Sequence, residues 1–196
     1  VSSEWVFLND DDNRFGEHLI GDVFAKVEQY GAEVITTPYL QVNEIQYYNS
    51  THQSGIFGSG NSFVKSSCLE NVRFDRALEF GYGEDTDFGW QLRNQGFDVI
   101  YFPDLKITHL KAPMGGFRMP IKKEWEFDII QPKPSPTIMY LKEKNNSKEQ
   151  IKGYKLILFF KYYRLQNIKN PIQYYCNFKQ QWKQSVFWAN VLKNNQ

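Results

Sequence analysis

Three consecutive aspartates, Asp10, Asp11 and Asp12, form the first group of residues in this sequence that could carry chemistry. Adjacent carboxylates repel one another, so such a group is stable when a hard cation neutralises it or when water solvates it fully. Ligands that offer only oxygen favour Mg²⁺ or Mn²⁺. The residues alone leave a second interpretation open, in which the group is a solvated acidic turn that precedes a helix.

A second acidic group, Glu84, Asp85 and Asp87, follows a glycine-containing loop at the predicted start of a helix. A carboxylate there can cap the helix by accepting backbone N–H bonds, but this explains one acid and not three. A general base needs a carboxylate held rigidly at the end of an element, which makes Asp85 a candidate base. His109 is a further candidate: a lone histidine is usually structural, but a neutral imidazole could complete the ligand shell of a divalent metal.

Short strands and amphipathic helices must position these residues. An apolar run at residues 5–8 predicts a buried strand that ends at the aspartates, and apolar residues at helical spacing predict a helix from Leu19 to Tyr30 that Gly31 ends. The remaining predicted elements are strands at residues 33–37, 99–102 and 105–109 and a helix that carries Phe88 and Leu92 and ends at Gly96. A buried strand so near the first residue needs neighbours, so we expect the chain to be the later part of a longer protein.

In this order the motifs resemble the C-terminal half of an inverting, family 2 glycosyltransferase with the GT-A fold. The resemblance covers about residues 1 to 110 and rests on residues 5–12 (WVFLNDDD), 58–64 (GSGNSFV) with Phe74 and Asp75, 83–92 (GEDTDFGWQL), and 99–103 (VIYFP) with His109. It implies an α/β fold with a mixed sheet flanked by helices, incomplete at the N-terminus and followed by an α-helical C-terminal extension.

The resemblance implies a transferase that moves a sugar from a nucleotide-diphospho-sugar donor to a hydroxyl of a glycan or lipid-linked acceptor, with inversion. Asp85 would be the base, and Asp10, Asp11, Asp12 and His109 would hold Mn²⁺ or Mg²⁺. Asn9 stands where the family commonly has its first aspartate, so the pair of aspartates that binds the metal stays open. The residues expected to contact substrate are Glu84, Asp87, Gly60, Asn61, Trp90 and Arg118. The Gly- and Pro-rich loop from Lys111 to Pro120 is expected to close over the donor, and charge and position place either Arg118 or Lys111 near phosphate.

Composition narrows the class of protein. Of 196 residues, 41% are hydrophobic and 17% aromatic, which excludes a disordered chain. The mean hydropathy is −0.56, and no run of about 18 apolar residues predicts a membrane span. Cys68 and Cys176 have neither metal-knuckle nor disulfide-framework spacing, which favours a reducing compartment. The resemblance to the glycosyltransferase family implies a cytoplasmic protein that could lie on the inner face of the membrane.

The charge is distributed unevenly along the chain. Residues 1–120 carry 17 acidic and 9 basic side chains, while residues 121–196 carry 5 and 14. We expect the first of these segments to be the catalytic part, residues 121–147 an extended Pro-rich arm, and residues 148–196 a tail of two helices broken at Asn170 and Pro171. Nucleic acid is not an expected partner, because the acidic first part would repel it.

The tail contains 11 aromatic and 8 basic residues after Glu149 and no further acid. Two interpretations stay open. Residues 150–196 could contact an anionic membrane surface on the cytoplasmic face, or their aromatic side chains could pack on protein. The whole chain also allows an alternative function, a non-catalytic carbohydrate- or partner-binding module that keeps the fold. The donor sugar, nucleotide and acceptor are not encoded in any motif described above.

Overall fold

The computed structural model of the chain describes residues 3–79, 81–111 and 122–195. The chain divides into two compact units, Val1–Asp75 with Glu84–Met119 and Arg76–Gly83 with Pro120–Gln196. It is an α/β protein with mixed sheets, as predicted, and the strands of the described residues all belong to the first unit. Within the described ranges, no helix is both long and apolar enough to cross a membrane.

In its described residues the first unit contains two sheets and two α-helices. Its elements are β1 (Trp5–Asn9), β2 (Asn13–Phe15), α1 (Leu19–Tyr30), β3 (Val34–Thr36), β4 (Tyr39–Gln41), β5 (His52–Gln53), β6 (Asn61–Lys65), a 3-10 helix (Ser66–Leu69), α2 (Glu84–Asn94), β7 (Val99–Tyr101) and β8 (Ile107–His109). The larger sheet has the order β1-β6-β3-β7-β5 and the smaller one β2-β8-β4.

Both sheets combine parallel and antiparallel pairs. In the larger sheet β6 runs antiparallel to β1 and β3, β3 pairs in parallel with β7, and β5 runs antiparallel to β7. In the smaller sheet the central strand β8 is antiparallel to β2 and parallel to β4. The first acidic group follows β1 and precedes β2, so one turn connects the two sheets.

Alternating side chains of the larger sheet form two separate cores. Ile35 of β3 and Phe63 of β6 pack with Leu19 and Val23 of α1 in one core. Val34, next to Ile35 in β3, belongs to the other core with Leu92 of α2, and all six side chains are 5% exposed or less. Successive residues of a strand point to opposite faces, so α1 covers one face of the sheet and α2 the other. Fixed helices on both faces hold the strand ends from which the candidate residues project.

Several predicted elements are confirmed. Helix α1 spans Leu19–Tyr30, and Gly31 adopts the left-handed conformation at φ 63° while its N–H donates to the carbonyl of Val27. Gly96, at φ 94°, follows α2. Strand β1 is half-buried and not buried as predicted, because it forms an edge of the larger sheet in the described residues. Strands β7 and β8 are shorter than predicted, at Val99–Tyr101 and Ile107–His109.

The second unit is helical in its described residues. It contains two 3-10 helices (Arg76–Leu78 and Glu124–Phe127), α3 (Pro136–Asn145), α4 (Lys148–Leu165) and α5 (Pro171–Asn194). The predicted break between the last two helices is confirmed: the Asn170 side chain accepts from the N–H groups of Ile172 and Gln173, and Pro171 is the first helical residue.

Helix α3 corrects one prediction. An extended conformation was predicted for residues 121–147 because prolines recur there, but Pro136–Asn145 is an α-helix. Ser135 provides the reason, since its hydroxyl accepts from the Ile138 N–H and caps the helix. Pro136 then occupies the first helical position, where a missing N–H and a fixed φ cost nothing.

Aromatic side chains fill the space between α4 and α5. Tyr174 and Phe178 are each 2% exposed and Trp182 8%. The Phe159 ring contacts Tyr174 and Phe178 at centroid distances of 4.9 and 5.4 Å, and the Tyr174 hydroxyl donates to the Phe159 carbonyl at 2.6 Å. Part of the predicted aromatic tail therefore packs inside the second unit.

Candidate active site

The loop before β6 brings the two acidic groups together. Asp85, in the first turn of α2, accepts a hydrogen bond from the backbone N–H of Ser59 at 3.2 Å. The next residue, Gly60, lies against Asp10, whose backbone N–H donates to the Gly60 carbonyl at 3.3 Å. A Cβ atom at Gly60 would come within 2.4 Å of Asp10 Oδ2, so the carboxylate occupies space that only glycine leaves free.

The acidity of Asp85 is altered by its surroundings. Burial raises the pKa of Asp85 from its ordinary value of 3.8 to about 6, with Ser59 opposing that rise and the negative charges of Glu84 and Asp10 adding to it. At this pKa a carboxylate is ionised near neutral pH yet accepts a proton readily. These are the properties of a general base, which the sequence predicted for this residue.

Tyr39, at the start of β4, connects the acidic turn with the predicted metal-binding histidine. Its hydroxyl donates to Asp10 Oδ2 at 2.6 Å, and its ring stacks on that of His109 with centroids 4.5 Å apart and planes 15° apart. His109 Nε2 in turn lies 3.2 Å from Asp12 Oδ2, and both side chains are shielded, at 19% and 11% exposure. Asp10, Asp12 and His109 therefore belong to one connected group.

Asn13 fixes the shape of the acidic turn. Its side-chain amide donates to the Gly60 carbonyl at 2.7 Å and to Asn9 Oδ1 at 2.9 Å. Asn13 also pairs with His109 across β2 and β8, and the Leu110 N–H donates to the Asp12 carbonyl at 2.8 Å. The turn is thus held by hydrogen bonds at both ends, so its carboxylates are not on a freely moving loop.

Two of the predicted substrate-binding residues are engaged within the fold. The Asn61 side chain is 6% exposed and donates to the Thr37 carbonyl, which joins β6 to the residues after β3. Asp87 is 1% exposed and accepts from the Gln91 amide at 2.7 Å. Both contacts position neighbouring elements, and a direct contact of either residue with substrate stays a prediction. Trp90 is half-buried on α2.

The other predicted residues differ in their surroundings. Glu84 Oε2 is buried and accepts no hydrogen bond from the described residues, so it retains capacity for a donor such as a hydroxyl group. Asp11 is exposed at the tip of the acidic turn. Lys111 is exposed and has a positive φ of 56°. Arg118 lies outside the described residues, as does most of the loop predicted to close over the donor.

The donor types in this site suit Mg²⁺ or Mn²⁺, because carboxylates and a neutral imidazole are ligands these ions accept. Within the described ranges, however, no three His, Cys, Asp or Glu side chains converge closely enough to hold a metal ion. Asp10 and Asp12 instead bond to Tyr39 and His109. A metal site would therefore use the predicted residues after a rearrangement of these hydrogen bonds.

Sequence reasoning missed three residues of this group: Tyr39, Asn13 and Ser59. Tyr39 acts on the site only because β4 pairs with β8, a long-range contact that no local pattern indicates. Ser59 lies inside the 58–64 motif but was not singled out, although both its backbone N–H and its side chain interact with Asp85. Asn13 could have been predicted, because it lies in the polar turn after β1 and its side-chain amide can donate hydrogen bonds to carbonyl groups.

The chain matches no family profile, and no curated protein matches it significantly.

Proposed function

We propose that this chain is a metal-dependent inverting glycosyltransferase of the GT-A type, acting in polysaccharide or glycoconjugate synthesis on the cytoplasmic side of a membrane. The observation that carries the proposal is the environment of Asp85: a shielded carboxylate at a helix N-terminus, held by the Ser59 N–H, with a pKa of about 6. Through Ser59 and Gly60 it adjoins Asp10, which belongs to the group that also contains Asp12 and His109. The order of the sequence motifs is the reason for proposing this family, and the geometry around Asp85 supports the same assignment.

The reaction assigns separate roles to these residues. Asp85 takes the proton of the acceptor hydroxyl as that oxygen forms a bond to the anomeric carbon, while the bond from this carbon to the diphosphate breaks. Because attack and departure occur on opposite faces, the configuration inverts. Glu84 Oε2 has free capacity to accept a hydrogen bond from a sugar hydroxyl and so orient it. Tyr39 and Asn13 hold the acidic turn in place.

A divalent cation is part of the proposal. Asp10, Asp12 and His109 would hold it, with Asp11 as a further ligand, and when bound it would neutralise the charge that develops on the leaving nucleoside diphosphate. The donor types support this assignment. The distances between these side chains support it less, because a metal ion would first have to replace the hydrogen bonds that Tyr39 and His109 make to Asp10 and Asp12.

One observation favours the second candidate, a non-catalytic carbohydrate- or partner-binding module. Among the described residues, no three metal-ligating side chains lie close enough together to hold a metal ion. A protein that kept the fold but bound no metal would show the same arrangement. The two candidates differ in turnover, because only the transferase releases nucleoside diphosphate.

The test is to incubate the protein with a panel of nucleotide-diphospho-sugars and Mn²⁺ and to measure released nucleoside diphosphate. The transferase proposal expects metal-dependent release that Asp85→Asn abolishes, with Glu17→Gln, an exposed carboxylate change, as control. The rate should fall as pH drops below about 6, because protonated Asp85 cannot act as a base. Absence of release with every donor, in a protein that still binds a carbohydrate, would favour the binding module.

A further inference from the structure

A groove of about 340 Å³ lies between α4 and α5 in the second unit, remote in sequence from the candidate active site. Its lining contains only basic, aliphatic and aromatic side chains: Lys152, Lys155, Leu156, Phe159, Phe160, Tyr175, Phe178 and Lys179. No carboxylate is among them. The groove is thus apolar at its floor and positively charged at its rim.

The walls of the groove are more exposed than the packing of the helices requires. Leu156, Phe160 and Tyr175 are 59%, 57% and 54% exposed, while Phe178 beneath them is buried. Positions four residues apart share one face of a helix, so Leu156 and Phe160 form a continuous apolar edge on α4. The buried aromatic residues described above make most of the contact between the two helices, and Tyr175 adds an edge contact to the Phe159 ring at 6.4 Å. More than half of the surface of Leu156, Phe160 and Tyr175 nevertheless stays exposed.

The charges at the rim oppose one another across the groove. The pKa of Lys155 is lowered, first by burial and then by the positive charge of Lys179 on the facing helix. Lys155 also lies over the Trp182 ring, 5.0 Å from its centroid. In the described residues neither lysine forms a salt bridge, and Glu149 is the last acidic residue of the chain. An anion between the two ammonium groups would remove this repulsion.

We propose that the groove docks the α4–α5 hairpin on an anionic lipid bilayer. Leu156, Phe160 and Tyr175 enter the boundary between headgroups and acyl chains, and Lys155 and Lys179 meet lipid phosphates. Burial of apolar surface and attraction to anionic lipids then both contribute to binding. Charge complementarity favours this occupant, because the lining carries three lysines and no carboxylate. A second copy that packed through the same groove would bring the same positive rim against it and be repelled. The groove lies in the second unit, so the membrane-docking proposal can be correct or wrong whether or not the chain is a transferase.

The first test measures binding of the full chain to vesicles by co-sedimentation. We expect binding to vesicles of phosphatidylcholine with phosphatidylglycerol, no binding to phosphatidylcholine alone, and weaker binding as salt is raised. The double variant Lys155→Gln/Lys179→Gln should weaken binding about 25-fold, which is about fivefold for each lysine near the surface. The matched control Lys161→Gln/Lys193→Gln removes two lysines of the same helices that do not line the groove. An equal loss in both double variants would overturn the assignment to the groove.

The second test examines the apolar part of the surface. Leu156→Gln/Phe160→Gln should weaken binding at least about tenfold, whereas Ile157→Gln, which replaces a side chain 67% exposed outside the groove, should change it little. Circular dichroism confirms that each variant keeps its helices. Binding that depends on the lysines but not on Leu156 and Phe160 would overturn insertion, and so would equal binding to neutral vesicles.

A fluorophore on Cys176 reports whether this face enters the bilayer. Cys176 is exposed beside Tyr175, and the only other cysteine, Cys68, is buried, so labelling is selective. We expect a blue shift in emission with anionic vesicles that Lys155→Gln/Lys179→Gln diminishes. A particle mass that doubles without lipid, and returns to that of one chain in the groove variants, would instead identify a second copy as the occupant and refute the proposal.

Discussion

Replacing Asp85 by asparagine should stabilise the protein at neutral pH while it removes the proposed base. The carboxylate is shielded from solvent and lies near the charges of Glu84 and Asp10, so its ionised form is disfavoured in the folded state. Asparagine has nearly the same shape and keeps an oxygen that can accept from the Ser59 N–H. It has no charge to bury, so the folded protein no longer bears the cost of ionisation.

The size of the effect follows from the shift in pKa. The pKa of Asp85 is about 6 in the folded protein and 3.8 ordinarily, and each unit is worth about 1.36 kcal/mol, so ionised Asp85 costs up to about 3 kcal/mol. The folded state binds more protons than the unfolded state between these two values, so wild-type stability falls as pH rises through this window. The gain of Asp85→Asn should therefore vanish below about pH 4, grow up to about pH 6 and stay constant above it.

Urea denaturation of both proteins, followed by circular dichroism at several pH values from about 4 to about 8, measures this gain directly. Glu17→Gln is the control, because that side chain is 88% exposed and its replacement should change stability by less than about 0.5 kcal/mol at any pH. A difference between wild type and Asp85→Asn that does not change with pH would refute the reasoning, as would an asparagine variant that is less stable at neutral pH.

Two further substitutions test how the acidic turn is positioned. Gly60→Ala places a methyl group within 2.4 Å of Asp10 Oδ2 and should lower turnover about 100-fold in a nucleoside diphosphate release assay. Gly55→Ala is the control and should leave turnover unchanged, because no neighbouring atom lies within 4 Å of its added Cβ. Equal turnover in the two variants would contradict this prediction. Tyr39→Phe keeps the ring on His109 but loses the hydrogen bond to Asp10, so we expect about 1 kcal/mol less stability in urea denaturation and about tenfold slower turnover. Unchanged turnover would exclude Tyr39 as a positioning residue.

The elements that local rules determine were predictable from the sequence. Helix α1 follows from its apolar spacing and the glycine at its end, and the start of α5 follows from Asn170 and Pro171. The short strands β2 and β5 were not predictable, because two or three residues carry no period and form strands only through distant partners. Helix α3 was missed because its first proline was interpreted as a helix breaker.

The residues of the candidate site also divide into those that the sequence could indicate and those that depend on distant contacts. Asp85 and the three aspartates were named as candidates from residue type and motif order, since both acidic groups follow a strand or loop at the point where a site would need them. Tyr39 is not identifiable, because its contact with Asp10 exists only once β4 has paired with β8. The tail was ambiguous for a physical reason: aromatic residues there both pack inward, as Trp182 does, and face outward, as Phe160 does.

The central position of β8 in the smaller sheet determines when the site can form during folding. Asp12 and His109 are 97 residues apart in sequence, and β2 and β4 are both synthesised long before the strand that joins them. Closing so long a loop is entropically costly and slow, so the acidic turn lacks its contacts with β8 and His109 while the nascent chain elongates. The contact of Asp12 with His109 is therefore among the last features of its unit to assemble. A truncated or stalled chain that ends before Ile107 contains Asp10, Asp11, Asp12 and Asp85 but neither His109 nor the strand that joins β2 to β4.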